Sequence, residues 1–390
     1  MSNYKFVFVK CLVIAAFSFL TISTQAQDLD FARGIVDTLT SSAFWGRGYT
    51  KGGMEKAGNY LVARFRQLGL IPMDGKDFKQ GFSYPVNFFP GSMRLEIDGI
   101  KLKPGEDFIV SPESKGIKAH GEVFKKDSAA FADPENKLLI VLKDKLTWSV
   151  AQQQADYTMI SVDRKKITSA KKYKINIEAA FDKNFEAFNV CGMVKGSEKP
   201  DSFIFITAHY DHLGGMGKDV YFPGANDNAS GISLLLNLAR YYAEHPAKYS
   251  IGFICFAGEE AGLVGSDYFV KHPLIDLHTI RFLINTDLAG TGEEGITVVN
   301  ATEYPIEFAW LQEINETAHL LAAVNPRGKA ANSDHYFFTE AGVPAFFFYT
   351  LGGIKAYHDV FDKAATLPLN EHEDLFKLLI AFNKRLMAEN

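Results

Sequence analysis

The chain has 390 residues, 47% of them hydrophobic and 22% charged, which supplies a packed core and excludes a disordered tail or a fibre. Its formal charge of −5 comes from 41 basic and 46 acidic residues without a long run of either sign. No basic stripe is left to release counterions, so an ordinary nucleic-acid binder is excluded, and a chain of this length calls for a second domain or a large insertion.

Residues 1–26 read as a cleaved secretory signal, with Lys5 and Lys10 as the positive start, an apolar run over 11–22, and Thr24-Gln25-Ala26 as a small-residue cleavage site. The apolar run is about a dozen residues where a spanning helix needs about 20, so no stable membrane insertion is expected after cleavage behind Ala26. The chain is expected to be secreted or periplasmic. Cys11 leaves with the signal. Cys191 and Cys255 each lie inside an apolar run and read as buried thiols, with a bridge between them left open.

From residue 31 to about 70 the pattern is helical, with Ala57, Leu61, Phe65 and Leu68 on one face over 54–68 and Gly69 as the C-cap. A Gly/Pro-rich stretch follows. Between 92 and 181 short apolar runs alternate with charged turns, giving strands at 138–142, 159–162 and 175–179 and a short helix at 148–155. Beyond 184 the texture becomes an α/β alternation. Strands at 189–194, 203–208, 251–257, 282–286 and 345–349 lack polar alternation, as strands buried on both faces do. Helices are expected at 230–244, 306–323 and 371–387. The expected fold class is α/β, with a mixed, mostly parallel central sheet flanked by helices. Residues 27–91 and 182–390 form its catalytic domain and 92–181 a β-rich inserted module.

In open α/β sheets, functional groups gather where strands end. Directly after the 203–208 strand come His209 and Asp211, two apart and so on one side if the strand continues; a carboxylate beside a metal-binding imidazole fixes its tautomer. Asp227 lies in a small-residue loop before an apolar helix, Glu259-Glu260 and Asp287 close two further strands, and Tyr357-His358 sits in a Gly-rich loop. Adjacent buried carboxylates repel unless a cation lies between them. Imidazoles and carboxylates suit zinc, and two metals about 3.5–4 Å apart form a recurrent hydrolytic centre.

Six segments in order, AHYDHLG (208–214), PGANDNASG (223–231), FAGEEAGLVGS (256–266), NTDLAG (285–290), SDH (333–335) and Tyr357-His358, make the chain resemble the secreted co-catalytic di-zinc exopeptidases, which include bacterial leucyl aminopeptidases, aminopeptidase Y and glutamate carboxypeptidases. Gly46-Arg47-Gly48 resembles that family's opening segment. The resemblance implies two Zn²⁺ per chain: Asp227 bridging, His209 and Asp287 on one ion, Glu260 and His358 on the other. It makes Glu259 the general base for a metal-bridging hydroxide and Asp211 the partner of His209. Two Zn²⁺ against three carboxylates and a hydroxide are formally neutral, as a buried centre requires. The insert occupies the place of a protease-associated domain, with a weak sequence match. The segment after His358 departs from the family's His-Thr-Pro-type turn.

The implied function is hydrolysis of N-terminal residues from peptides; oligomeric partners are not legible. A carboxypeptidase or dipeptidase, a one-zinc glutaminyl cyclase and a catalytically silent binding module are the alternatives. Tyr357 and Ile354 are candidates for the substrate pocket. Asp334 is another, against a reading in which Ser333 or Asp334 caps a helix. His212 is expected to hydrogen-bond locally, and Phe346, Phe347 and Phe348 to pack in the core.

Overall fold

The computed structural model describes residues 29–388, so the signal expected at 1–26 lies outside the described residues. Two helices open the described chain, Leu29–Leu39 and Gly53–Gln67. The second ends as its sequence predicts. Gly69 takes a left-handed φ of 77°, and Leu70 N–H reaches back to the Phe65 carbonyl at 3.0 Å, which closes the helix.

The main sheet has a parallel core of four strands, Tyr249–Phe256, Lys199–His209, Ile280–Thr286 and Ala345–Thr350, in that spatial order. These are the continuous apolar runs, and the Tyr249–Phe256 strand is buried at every position. Antiparallel partners flank the core. Ala180–Val194 borders one side and Ile296–Val299 the other, where Val324–Pro326 then pairs parallel at the edge. The result is the expected mixed α/β sheet flanked by helices. One face packs against Leu29–Leu39, Gly53–Gln67, Gly231–Glu244, Pro305–Ala318 and His372–Ala388, the other against Val264–Lys271 and His335–Glu340. Phe346, Phe347 and Phe348 are buried, and Cys191 and Cys255 are free buried thiols.

Lys79–Phe88 and Ala180–Val194 form a long antiparallel ribbon. Between its strands the chain builds two smaller sheets, one of four strands and one of five, over residues 93–177. Their hydrophobic core, which includes Phe108, Ile140, Trp148 and Ile160, is continuous with Leu213, Met216, Phe222 and Val360 from loops of the main domain.

Three local expectations change. Residues 148–155 form no helix: Trp148 N–H donates to the His358 carbonyl (2.9 Å), Asn87 N–H to the Ala151 carbonyl (2.9 Å) and Ala155 N–H to the Glu113 carbonyl (2.7 Å), so long-range partners take the groups a helix would use. The helix expected to reach 323 stops at Ala318, because the Asn315 side chain bonds both N–H and C=O of Leu321 and turns the chain to the edge strand. The strand expected at 175–179 is instead Lys172–Ile177, in antiparallel register with Met93–Ile97. Among the described residues no helix is long and apolar enough to cross a membrane.

Phe346 meets the rings of Phe282 (5.0 Å), Phe382 (5.9 Å) and Phe348 (6.0 Å) at the centre of the helix-covered face. Phe346→Ala is therefore expected to lower the unfolding free energy by about 3–5 kcal/mol, read by urea denaturation. A loss below about 1 kcal/mol would contradict this packing.

Candidate metal centre

The acidic and imidazole groups converge beyond the carboxyl ends of the parallel strands. His209 is the last residue of its strand, and its ring is almost wholly buried. Its Nδ1–H donates to the Asp211 backbone carbonyl at 3.2 Å, which turns Nε2 toward Asp287 Oδ2 (3.3 Å) and Asp227 Oδ1 (3.5 Å). Nε2 makes no aligned hydrogen bond there, and Asp287 Oδ1 is also buried without one.

Asp227 faces a second set of groups with its other oxygen. His358 Nε2 lies 3.1 Å from Asp227 Oδ2 and 3.2 Å from Glu260 Oε2. The His358 Nδ1–H donates to the Trp148 carbonyl at 2.9 Å. His212 Nδ1 lies 2.6 Å from Glu260 Oε1, 48 residues away in sequence, and so Glu260 has an imidazole on each oxygen. Two groups, His209-Asp227-Asp287 and His212-Asp227-Glu260, bring one ligand atom per residue within 4.8 Å of one another. Glu259 lies beside the first, with Oε2 4.0 Å from His209 Nε2.

The donor set fits zinc. His209 and His358 give their Nδ1–H to a backbone carbonyl and aim Nε2 inward, the arrangement that prepares a histidine to ligate. The carboxylates are too crowded to be charged together without cations. Burial pushes Asp211 up to about 7, with His209 opposing and Glu260 reinforcing. Burial also raises Glu259 well above the ordinary range, and raises Asp287. Asp227 and Glu260 go the other way: burial works against their charge, but His358 and His212 outweigh it. For His358 burial also opposes charge, yet Glu260 and Asp227 hold its ring up at about 11.

Sequence reasoning missed three supports. Arg47 is fully buried and donates to five backbone carbonyls, those of Tyr210 (2.8 Å), Leu39 (3.1 Å), Pro223 (2.7 Å), Gly224 (2.8 Å) and Asp227 (3.2 Å). Burial lowers it to about 10, so it stays charged at neutral pH. Gly224 is required beside it, since a Cβ there would overlap the Asp227 carbonyl and the His212 ring. Asp362 accepts from the Asn226 (2.9 Å) and Asp227 (3.0 Å) N–H groups and pins that loop. The third support is the Trp148 carbonyl. The sequence signal for Arg47 was its small-residue setting, Gly46-Arg47-Gly48; the other two carry none.

The Asp211 side chain differs from its expected role. The strand ends at His209, and the Asp211 carboxylate lies 3.9 Å from His209 Nδ1; it accepts instead from Glu259 N–H (3.1 Å) and Glu260 N–H (3.3 Å). It thus holds the turn that presents both glutamates. Ser333 accepts from Asn285 Nδ2 at 2.8 Å, and neither it nor Asp334 caps the helix by a side-chain hydrogen bond. Asp334 is fully buried beneath the centre and burial pushes it up to about 6. Tyr357 is half exposed and stacks on His358 at 4.0 Å, and Ile354 packs at the edge of the main core.

The model of peptidase family M28 matches residues 189–383, half of the chain. Aminopeptidase YwaD of Bacillus subtilis is 30% identical over 187 residues, covering 46% of this chain and 39% of that protein. A probable zinc metalloprotease of Pyrenophora teres f. teres is 37% identical over 112 residues, 28% of this chain and 24% of its own length. The chain thus aligns with well under half the length of these curated relatives. The fold matches a peptidase M28 precursor from Shewanella amazonensis (TM-score 0.71, 15% identity, 93% of this chain and 94% of that one). It also matches BSAP, a zinc aminopeptidase from Bacillus subtilis (TM-score 0.66, 18% identity, 92% and 95%).

In metal-stripped protein the raised carboxylates lower stability as pH rises, against the buried His335 and His372, whose rings burial lowers to about 4 and which add stability from about pH 4 to 6.5. Asp211 at about 7 and Asp334 and Asp362 at about 6 hold protons in the folded state that the unfolded chain, with carboxyls near 3.9, has released. Their stabilising contribution is complete below about pH 4 and is lost as pH rises to about 7. His209 and His358, also raised, act in the same direction at higher pH. Urea midpoints of chelator-treated protein should fall from pH 5 to pH 7.5, and added zinc should remove the fall. A midpoint that rises over that interval contradicts the assignment.

Proposed function

The chain belongs to peptidase family M28, and on that premise we propose that it is a secreted or periplasmic aminopeptidase that removes single residues from the free N-terminus of peptides, with two zinc ions in pockets that share Asp227. One observation carries the reading: Asp227 turns Oδ1 toward His209 and Oδ2 toward His358, the geometry of a carboxylate that serves two ions. His209 and Asp287 would hold one, Glu260 and His358 the other.

When bound, zinc lowers the pKa of a coordinated water toward about 7 and polarises a carbonyl. The chain's own groups do the proton work. Glu259, on the turn held by Asp211, takes a proton from the attacking water and returns it to the leaving amine. Its raised proton affinity suits that exchange.

A preference for the amino end is supported by what the pockets offer. Arg47, the guanidinium at the centre, is consumed by backbone carbonyls and offers no clamp to a C-terminal carboxylate. The names of the aminopeptidase relatives agree with this choice.

Metal analysis is expected to find two zinc per chain; one would favour a cyclase and none a silent module. Unblocked aminoacyl substrates should be cleaved and N-blocked ones spared. Glu259→Gln should lower kcat by about 100- to 10,000-fold with zinc content unchanged. Near-normal turnover in that variant would remove Glu259 from its role.

A further inference from the structure

His358 sits in a loop without regular structure at a left-handed φ of 53°, with glycines at 352 and 353, so its own segment does little to fix the ring. The ring is held from elsewhere. Trp148 N–H donates to the His358 carbonyl at 2.9 Å, and His358 Nδ1–H donates to the Trp148 carbonyl at 2.9 Å, a two-point clamp across 210 residues of chain. The clamp is itself anchored. The Trp148 indole stacks on Phe222 at 4.7 Å, donates from Nε1 to the Val110 carbonyl at 2.7 Å, and is 4% exposed within the core of the two smaller sheets.

The same strap reaches the other side of the second pocket. Gln152 Nε2 donates to the Ala261 carbonyl at 2.7 Å, one residue beyond Glu260, and Lys145 Nζ to the Lys355 carbonyl at 3.2 Å. Its bonds toward the centre end on the two turns that carry His358 and Glu260. None reaches His209, the last residue of its strand, or Asp287, the first residue after the strand Ile280–Thr286.

We propose that residues 145–152, and Trp148 above all, are a positioning element of the second zinc pocket. The Trp148 carbonyl fixes the tautomer and ring plane of His358, so the 93–177 region helps to complete the centre that the main sheet begins. An acceptor on the far nitrogen of a ligating histidine sets which nitrogen faces the metal and raises its basicity, and losing such an acceptor typically costs about 10–100-fold in metal affinity. The inference rests on the two-zinc reading, and it is asymmetric: one ion depends on the strap and the other does not.

The test is zinc titration of the whole secreted chain against a chelator of known affinity, for the parent protein, Trp148→Phe and Trp148→Ala. In Trp148→Ala one of the two ions should lose about 10–100-fold in affinity while the other stays within about twofold. Trp148→Phe, which keeps a ring against Phe222, should lie nearer the parent. Equal weakening of both ions, or none, in a folded Trp148→Ala protein overturns the proposal and leaves the two-zinc reading standing. Fewer than two zinc ions in the parent overturns both. Should Trp148→Ala fail to fold, ¹⁵N-histidine spectra of the zinc-loaded parent decide: a protonated Nδ1 and zinc on Nε2 of His358 support the clamp, and zinc on Nδ1 overturns it.

Discussion

Carboxylates buried together repel, and the centre is organised around that repulsion. Asp211, Asp227, Glu259, Glu260, Asp287, Asp334 and Asp362 crowd the ends of the parallel strands. Three imidazoles and one guanidinium lie beside them. The guanidinium makes no side-chain salt bridge, since Arg47 spends its N–H groups on backbone carbonyls. It therefore offsets charge at a distance and fixes backbone at close range. That division of labour keeps the guanidinium off the inner oxygens of Asp227, Glu260 and Asp287, which a bidentate arginine clamp would have tied up.

The sheet supplies the place where this can be done. Parallel strands bring their carboxyl ends to one edge, so His209, the Gly258-Glu259-Glu260 turn and Asp287 meet although far apart in sequence. Depth follows from the same geometry. The strands are apolar on both faces, and the groups at their ends are buried from below by Phe and Ile side chains and from the sides by loops. A buried charge is stable only with compensation, so the fold that buries these acids also makes the centre depend on what binds it.

His209, Glu259, Glu260 and Asp287 were legible because each follows an apolar run, and a polar residue at a strand end announces itself locally; Asp227 and His358, in Gly-containing loops, were legible only through the resemblance. The strands were legible as the apolar runs themselves. What escaped were interactions in which one partner is backbone. Nothing in the sequence around Arg47 names the carbonyls of Tyr210 or Pro223, and nothing in Trp148 names His358. The stretch 148–155 shows the cost of reading locally. Its Ala and Gln residues favour a helix, yet its N–H and C=O groups are claimed by Asn87, Glu113 and His358, and tertiary partners override propensity. Asp211 does partner His209, but through its backbone carbonyl: the strand ends at His209, and the Asp211 carboxylate turns to the Glu259 and Glu260 N–H groups.

The match to the family spans residues 189–383, but the centre is not separable at residue 189. Arg47 enters from the segment between the first two helices, and its removal would take a donor from the buried carbonyls of Tyr210, Pro223 and Asp227, while that of Gly224 keeps the Ala229 N–H at 3.3 Å. A buried carbonyl left without a donor costs about 1–3 kcal/mol, a large share of the about 5–15 kcal/mol of an ordinary domain. Trp148 enters from the other side, through a hydrophobic core that runs without interruption into Leu213, Phe222 and Val360. These three flank the loops that carry His212, Asp227 and His358. The residues that do chemistry are thus collected by one half of the chain, and the backbone they hang from is held still by the other.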